Sequence, residues 1–251
     1  MKVFRYVFQL SLCLMILTLC SPNLFSQNNC NRFEFSLGGD IVSRYIFRGV
    51  EFGPNPSTPH IQPHFGITYR FSQNSSVKIG GWASYGISNN FSENDLSLNY
   101  THSIEKAGSF SLTLLDLYFP YLGVDFNNFD DKGTGAHFIG LQFDYTGASS
   151  FPVTFQAASL VYNDFPGNKS LYLELGYMFS ISNVNGKLFF GAAQGKSQWN
   201  TIRTDKFEFD NIGLSLSKKL KITEDYSVPV GISYILNWHL KTSYLVLKLS
   251  V

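Results

Sequence analysis

The most regular pattern in the chain is a run in which apolar and charged side chains alternate. Between Arg32 and Arg48 the odd positions are mostly aromatic or aliphatic, and the even positions include charges of both signs. Successive side chains of a β-strand point to opposite faces, so this run predicts a strand with one apolar and one charged face. It has 17 residues, whereas a typical strand has about 5–6. Such length is typical of a strand that crosses a bilayer obliquely and projects beyond it.

The same alternation recurs along the rest of the chain, and it predicts about 12 antiparallel strands in total. No apolar run after the first 26 residues approaches the roughly 18 needed for a membrane-spanning helix. The apolar side chains are instead scattered at period two, as in a single-domain transmembrane β-barrel. The predicted fold class is therefore all-β, a single antiparallel transmembrane barrel. Among the clearest further segments are 61–71, 77–87, 95–104, 139–145, 153–161, 171–179, 228–236 and 245–251.

Two segments, 110–121 and 207–220, break the alternation. In the first, the apolar set shifts by one position after Leu114, and a β-bulge near Leu114–Leu115 would restore the phase and turn Asp116 inward. In the second, the shift falls between Phe209 and Ile212. A bulge is the expected solution in both, because a Lys or Arg facing lipid at mid-depth costs roughly 2–4 kcal/mol.

The predicted connections alternate between longer and shorter segments. The three longest, 49–59, 122–135 and 196–206, all belong to the set that joins odd strands to even ones. Outer-membrane barrels place long loops outside the cell and short turns in the periplasm. We therefore expect both ends of the barrel in the periplasm, where aromatic residues also cluster at the predicted strand ends as an interface girdle.

Residues 1–26 are typical of a cleaved secretory signal, and residues 27–251 form the predicted outer-membrane barrel. Lys2 and Arg5 precede an apolar stretch, and Ser26 ends a plausible cleavage site, although Cys20 leaves a lipoprotein alternative. Removal of Lys2 and Arg5 takes Lys+Arg from 19 to 17 against 18 Asp+Glu, a net charge of −1. This balance argues against a nucleic-acid partner, and Cys30 alone cannot form an internal disulfide. The expected partners are outer-membrane lipids.

Several short motifs occur in a recognisable order along the chain. They are Asp40–Gly49, Asn94–Leu96 leading to Tyr100, Tyr118–Tyr121, Tyr162–Phe165 and Tyr172–Gly176. In this order they resemble the motifs of the TorF-like porin family, an exported bacterial group also classed as conserved proteins of unknown function. The resemblance implies an outer-membrane channel. The sequence departs from the family pattern at Arg44, where the family often has an acidic residue, and at Val251, where an aromatic residue is usual.

The candidate functional residues are the charged and histidine side chains predicted to face the lumen. We expect them to act as a charged constriction that selects small solutes or as salt bridges that brace the wall. His60 and His64 are about 13 Å apart along a strand, too far to share a metal ion without a sharp bend, so no metal or cofactor is expected. The candidates are Asp40, Arg44, Arg48, His60, His64, Asp95, Asp116 and Glu174.

Three functions remain open on the sequence. The first is passive diffusion of small hydrophilic solutes through a narrow lumen, with Arg44 and Arg48 setting the selectivity. A structural or adhesive barrel with a sealed lumen is the second. The third is a barrel hydrolase with His60 near the outer rim and Asp40 or Asp95 close by, although no Gly-x-Ser-x-Gly motif or triad set is present. We predict a passive channel without covalent chemistry.

Overall fold

The structure is a computed structural model that describes residues 32–53, 58–164, 170–194 and 206–251. The predicted signal peptide, Cys20 and Cys30 lie outside these residues. The described chain is almost entirely β-structure, with one 3-10 turn at Pro120–Leu122. The strands are β1 Phe33–Val42, β2 Ile46–Phe47, β3 Val50–Glu51, β4 His60–Arg70, β5 Ser75–Gly86, β6 Ser92–Ile104, β7 Gly108–Tyr118, β8 His137–Gly147, β9 Val153–Tyr162, β10 Leu171–Ile181, β11 Val184–Gln194, β12 Phe207–Lys221, β13 Ser227–Asn237 and β14 Thr242–Ser250.

Twelve of these strands form a closed antiparallel barrel, which confirms the predicted fold class. Each strand from β4 to β14 pairs with its neighbours in sequence, and β1 closes the ring by pairing with both β4 and β14. Closure gives each of the twelve strands a partner on both sides, so most backbone hydrogen bonds of the wall are satisfied between strands, although β1 and β14 pair over only a short stretch. The two remaining strands, β2 and β3, pair only with each other.

The outer face of the barrel is apolar. On β7, Leu112 and Leu114 are 47% and 46% exposed, whereas Thr113 between them is 8% exposed and faces the interior. Aromatic rings pair at the turn end of the wall, with 4.9 Å between the ring centroids of Phe33 and Tyr69. No helix in the described part of the chain is long and apolar enough to span a membrane. The exterior is therefore suited to contact with lipid acyl chains.

The first strand is shorter than the alternation predicts. β1 ends at Val42, and the chain then turns into the barrel as a hairpin made of β2 and β3, so the prediction of one strand from Arg32 to Arg48 is wrong. Arg48 and Gly49 connect the two short strands with φ values of 50° and 76°. Two successive positive φ values define a type I′ hairpin turn, for which Gly at the second position is strongly preferred.

One of the two predicted bulges is present. The pairing of β11 with β12 shifts register so that Asp210 is an extra residue between Phe209 and Asn211, which confirms the second bulge. The pairing of β7 with β6 and β8 instead runs in continuous register, so the predicted bulge near Leu114 is wrong. Without it, Asp116 shares the outward face of Leu112 and Leu114. The inward Leu117 of the same strand is buried in an apolar cluster inside the barrel. This cluster accounts for the apolar residues at inward positions, which in the sequence resembled a shift of the alternation by one residue.

Candidate channel constriction

The segment Ser43–Gly53, here called the lumen hairpin, leaves the wall and crosses the interior of the barrel. At its root the Ser43 amide donates to the Leu247 carbonyl oxygen at 2.9 Å, and the Phe52 amide donates to that of Tyr45 at 3.1 Å. An ion pair joins its two arms, with 3.6 Å between Arg44 Nη1 and Glu51 Oε1. The hairpin is thus an ordered element tied to the wall at one end.

Aromatic packing fixes the base of the hairpin on one side of the barrel. The Tyr45 side chain is 7% exposed, and its ring centroid lies 5.4 Å from that of Trp82 on β5 and 5.9 Å from that of Phe91. Phe52 from the other arm stacks at 6.5 Å on Phe119. These rings extend a buried apolar cluster that fills this side of the upper barrel and contains Tyr45, Phe91, Leu117, Phe119, Phe138, Ala158 and Leu160.

Polar contacts fix the tip of the hairpin on the other side. The Arg48 guanidinium donates from Nη2 to Gln142 Oε1 on β8 at 3.0 Å and lies 4.6 Å from the ring centroid of Tyr172 on β10. Arg48 is only 8% exposed. Burial lowers its pKa to about 10, against the opposing effects of Tyr172, Glu174 and Asp144. The side chain therefore remains a cation at neutral pH.

Gly49 allows the tip to approach the opposite wall closely. Asn237 Nδ2 donates to the Gly49 carbonyl oxygen at 3.0 Å, and Asn237 is wholly buried. A Cβ atom at position 49 would overlap the backbone carbonyl of Asp210, the bulge residue of β12. The close approach and the positive φ both require Gly here.

A polar network surrounds the tip. Lys187 Nζ donates to Glu174 Oε1 at 2.7 Å, and the Tyr172 hydroxyl donates to Glu174 Oε2 at 2.6 Å. On β8, Gln142 Nε2 donates to Asp144 Oδ2 at 2.9 Å. Arg48 thus stands among carboxylates from two different strands, which can impose a strong local field on an ion in a low-dielectric interior.

Toward the short turns, the interior is lined by small polar side chains. Asn99 Nδ2 donates to Thr113 Oγ1 at 2.6 Å, joining β6 to β7. The hydroxyls of Ser215 and Ser233 lie 2.8 Å apart and join β12 to β13. A lining of hydroxyl and amide groups is compatible with water and hydrophilic solutes.

The remaining predicted site residues occupy separate positions. Asp40 accepts from Lys248 Nζ at 2.9 Å and from Ser250 Oγ at 2.5 Å beside the β1–β14 pairing. The His64 ring lies against Gly38 of β1, because a Cβ atom added at Gly38 would come within 2.7 Å of His64 Cε1. Asp95 lies on the inward face of β6 and interacts electrostatically with the neighbouring Glu93. The structure therefore brings Arg48 near Glu174 and places Asp95 close enough to Asp116 for their charges to interact.

The histidine near the rim does not form the arrangement expected of a hydrolase. His60 Nδ1 lies 2.9 Å from Ser84 Oγ, and both side chains are wholly buried beneath Tyr45 and Phe91. Gln62 Nε2 also donates to the same hydroxyl at 3.3 Å. A buried serine held in this way has no approach for a peptide or lipid substrate. Within the described residues, no three His, Cys, Asp or Glu side chains are placed to hold a metal ion.

Asp116, predicted to face the lumen, instead lies outside it and contacts His137. Both Asp116 carboxylate oxygens lie 3.0 Å from His137 Nδ1, and His137 Nε2 lies 2.7 Å from the Phe126 carbonyl oxygen. The His137 ring stacks on Phe129 with 4.4 Å between centroids. Because Phe126 and Phe129 belong to the connection between β7 and β8, this contact fastens that outer loop to the barrel wall.

Replacement His137→Ala is expected to release the loop. The substitution removes buried hydrogen bonds, which lowers the stability of the loop contact by about 1–3 kcal/mol. The population in which the loop is open rises about tenfold for each 1.4 kcal/mol lost. Lys132 lies in the loop and is exposed, so trypsin cleavage after Lys132 is expected to accelerate roughly five- to a hundredfold. Cleavage after Lys106, in a turn at the opposite end of the barrel, is the internal control. Equal acceleration at both lysines would indicate general unfolding and contradict the assignment.

Sequence reasoning missed the residues that hold the hairpin. Asn237, Gln142, Tyr172 and Trp82 come from four different strands, and their contacts with the hairpin depend on barrel closure. Gly49 was a usable signal, because Gly is strongly preferred at the second position of a type I′ hairpin turn. The alternation around them indicated a strand more strongly.

Comparison with known proteins supports the fold. No family model matches the chain, and no curated protein matches it. One solved chain, from a study of the in-meso crystallization of membrane proteins, has 12% identity and a TM-score of 0.50, with 85% of this chain and 81% of that chain covered. An outer membrane channel from Pseudomonas putida F1 has 10% identity and a TM-score of 0.49, covering 90% and 98%.

The closed ring of strands and its apolar exterior define the class of protein. A barrel of this kind buries its polar backbone between strands and exposes leucine, isoleucine and phenylalanine where lipid contacts them. The chain is therefore a twelve-stranded transmembrane β-barrel of the outer-membrane type.

Proposed function

We propose that the protein is an outer-membrane channel for passive diffusion of small hydrophilic solutes, and that the lumen hairpin forms its constriction. The observation that carries this proposal is the position of Arg48, a buried cation that a hairpin inside the barrel holds against Gln142 and Tyr172 on the opposite wall. A segment that folds into a barrel narrows the path and sets its charge at the same place.

The charges divide into pairs that lie away from the tip of the hairpin and a group that surrounds the tip. The tip group contains Arg48, Asp144 and Glu174, and Glu174 is itself paired with Lys187. Asp40 and Arg44 each have a partner of opposite sign, Lys248 and Glu51. Arg48 lies where Glu174 and Asp144 act on it. We therefore assign the selectivity to Arg48 together with Glu174, and treat Asp40 and Arg44 as bracing charges. Asp95, with Glu93, places two carboxyl groups on the aromatic side of the hairpin.

A barrel with a sealed lumen is the second candidate. The observation that favours it is the aromatic and aliphatic cluster around Tyr45, which fills one side of the upper barrel. Such a barrel would serve a structural or adhesive role and would conduct in no state.

Planar-bilayer recording of the purified full-length protein separates the two candidates. A diffusion channel is expected to give stepwise currents of small amplitude, because the hairpin occupies part of the barrel interior. A mock preparation from cells that lack the gene is the control for contaminating porins. Stepwise currents that are absent from the mock preparation support the channel, whereas a correctly folded barrel that gives no current, with or without its hairpin, would refute it.

A further inference from the structure

The sequence and the structure assign different conformations to residues 44–48. The alternation that places Tyr45 and Phe47 on the apolar face, and Arg44 and Arg48 on the charged face, continues the pattern of β1 without interruption. In the structure these residues belong to the lumen hairpin instead. A strand pattern retained by a segment that lies outside the sheet indicates a second conformation compatible with the same sequence.

The barrel wall has a vacant position for such a strand. β1 and β14 pair over a short stretch, from Asp40↔Ser250 to Val42↔Lys248, with flanking hydrogen bonds at Gly39 and Ser43. Beyond Ser43 the hairpin turns inward, so among the described residues Thr242–Val246 of β14 have no strand partner on the β1 side. The upper half of β14 is thus an open strand edge.

The lengths of the two segments match. If β1 continued upward in its present register, Ile46 would lie opposite Tyr244 and Arg48 opposite Thr242, the first residue of β14. The inward-facing positions would stay inward and the outward-facing positions outward, so Tyr45 would lie beside the outward Leu245. The charged face of the segment would then line the lumen.

We propose that the lumen hairpin is a gate with two states. In the inward state it crosses the barrel, as in this structure. In the outward state residues 44–48 extend β1 and pair with the open edge of β14, which clears the lumen. The consequence for transport depends on the proposed channel function, but the rearrangement itself does not.

Several interactions are exchanged between the two states. The inward state has the aromatic packing of Tyr45 and the tip contacts of Arg48. The outward state gains hydrogen bonds along β14, leaves Tyr45 and Phe47 in contact with lipid, and removes the positive φ at Arg48. Pro59 precedes β4 and has no amide hydrogen to donate, so the new pairing would form on the β14 side. A small differential interaction is enough to shift such a population.

A disulfide between Ile46→Cys and Tyr244→Cys would report the outward state. Gly39 and Val251 exchange both backbone hydrogen bonds, so even-numbered positions such as 46 and 244 would form the closer, non-hydrogen-bonded pairs, with Cβ atoms about 4.5–5.5 Å apart. In the inward state Ile46 pairs with Glu51 instead. The matched control is Ile46→Cys with Lys248→Cys, about 13 Å further along β14. The background is Cys30→Ser, and folding is checked by heat-modifiable electrophoretic mobility.

The variant Gly49→Val shifts the gate outward, because its side chain would overlap the Asp210 carbonyl in the inward state. We expect oxidised membranes to contain the 46–244 disulfide, with a yield that rises about tenfold or more in Gly49→Val, the change that 1.4 kcal/mol produces. The control pair should remain unlinked.

Absence of the 46–244 disulfide in folded Gly49→Val protein, or equal linking of the control pair, would overturn the gate. A barrel that links but conducts no current in either state would retain the gate and refute the channel. A barrel that conducts current but never forms the 46–244 disulfide would support the channel and refute the gate.

Discussion

Replacement of residues 44–52 by a Gly-Ser-Gly linker is expected to raise the single-channel conductance severalfold. The hairpin crosses the barrel from the aromatic side, at Trp82 and Phe91, to the polar side, at Gln142 and Asn237. Twelve strands enclose more space than the eight that side chains alone can fill. Removal of the hairpin therefore exposes a lumen whose remaining lining includes the polar side chains of Asn99 and Thr113.

The measurement is single-channel recording in planar bilayers under identical salt. The matched control replaces residues 124–134 of the outer loop, which lies over the outward face at His137 and leaves the hairpin in place. The control is expected to keep the native conductance. An unchanged conductance after loss of the hairpin, in protein that retains the heat-modifiable mobility of a folded barrel, would show that the constriction lies elsewhere.

The fold was predictable because its signal is local and repeated. Each wall strand shows its own alternation. On β7, for example, the exposed Leu112 and Leu114 flank the inward Thr113, and this order can be read from the three residues alone. The β12 bulge was predictable for the same reason, since Phe209 and Ile212 cannot both face lipid in a regular strand. Closure into 12 strands then follows from the number of segments.

The hairpin and its site were not predictable, because the local signal was compatible with two conformations. The alternation from Arg32 to Arg48 is compatible with two environments for the apolar Tyr45. In one it contacts lipid as part of a wall strand, and in the other it packs against the rings of Phe91 and Trp82. Only the closed barrel supplies those rings, together with the Asn237 amide that binds Gly49. The error at Asp116 has the same origin, since the inward leucines of β7 pack against a cluster to which the hairpin contributes.

Charge reversal at Arg48 is expected to change the ion selectivity far more than charge reversal at Arg44. Arg48 is 8% exposed and lies where Glu174 and Asp144 act on it, whereas the Arg44 side chain is 31% exposed and its partner is Glu51. A charge acts more strongly in a low-dielectric interior than at a partly exposed site. Arg48→Glu therefore adds a negative charge beside Glu174 and Asp144 at the constriction, removes the donor to Gln142 and weakens docking of the tip.

Reversal potentials across a KCl gradient measure this effect. We expect Arg48→Glu to shift the potential strongly toward cation selectivity, with a higher conductance as the tip undocks, and Arg44→Glu to remain close to the native protein. Arg48→Gln separates the two contributions, because it removes the cation without adding an anion and should give an intermediate shift. Equal shifts for Arg44→Glu and Arg48→Glu would mean that the potential depends on the total charge of the hairpin rather than on the buried tip. The assignment of selectivity to Arg48 would then be wrong.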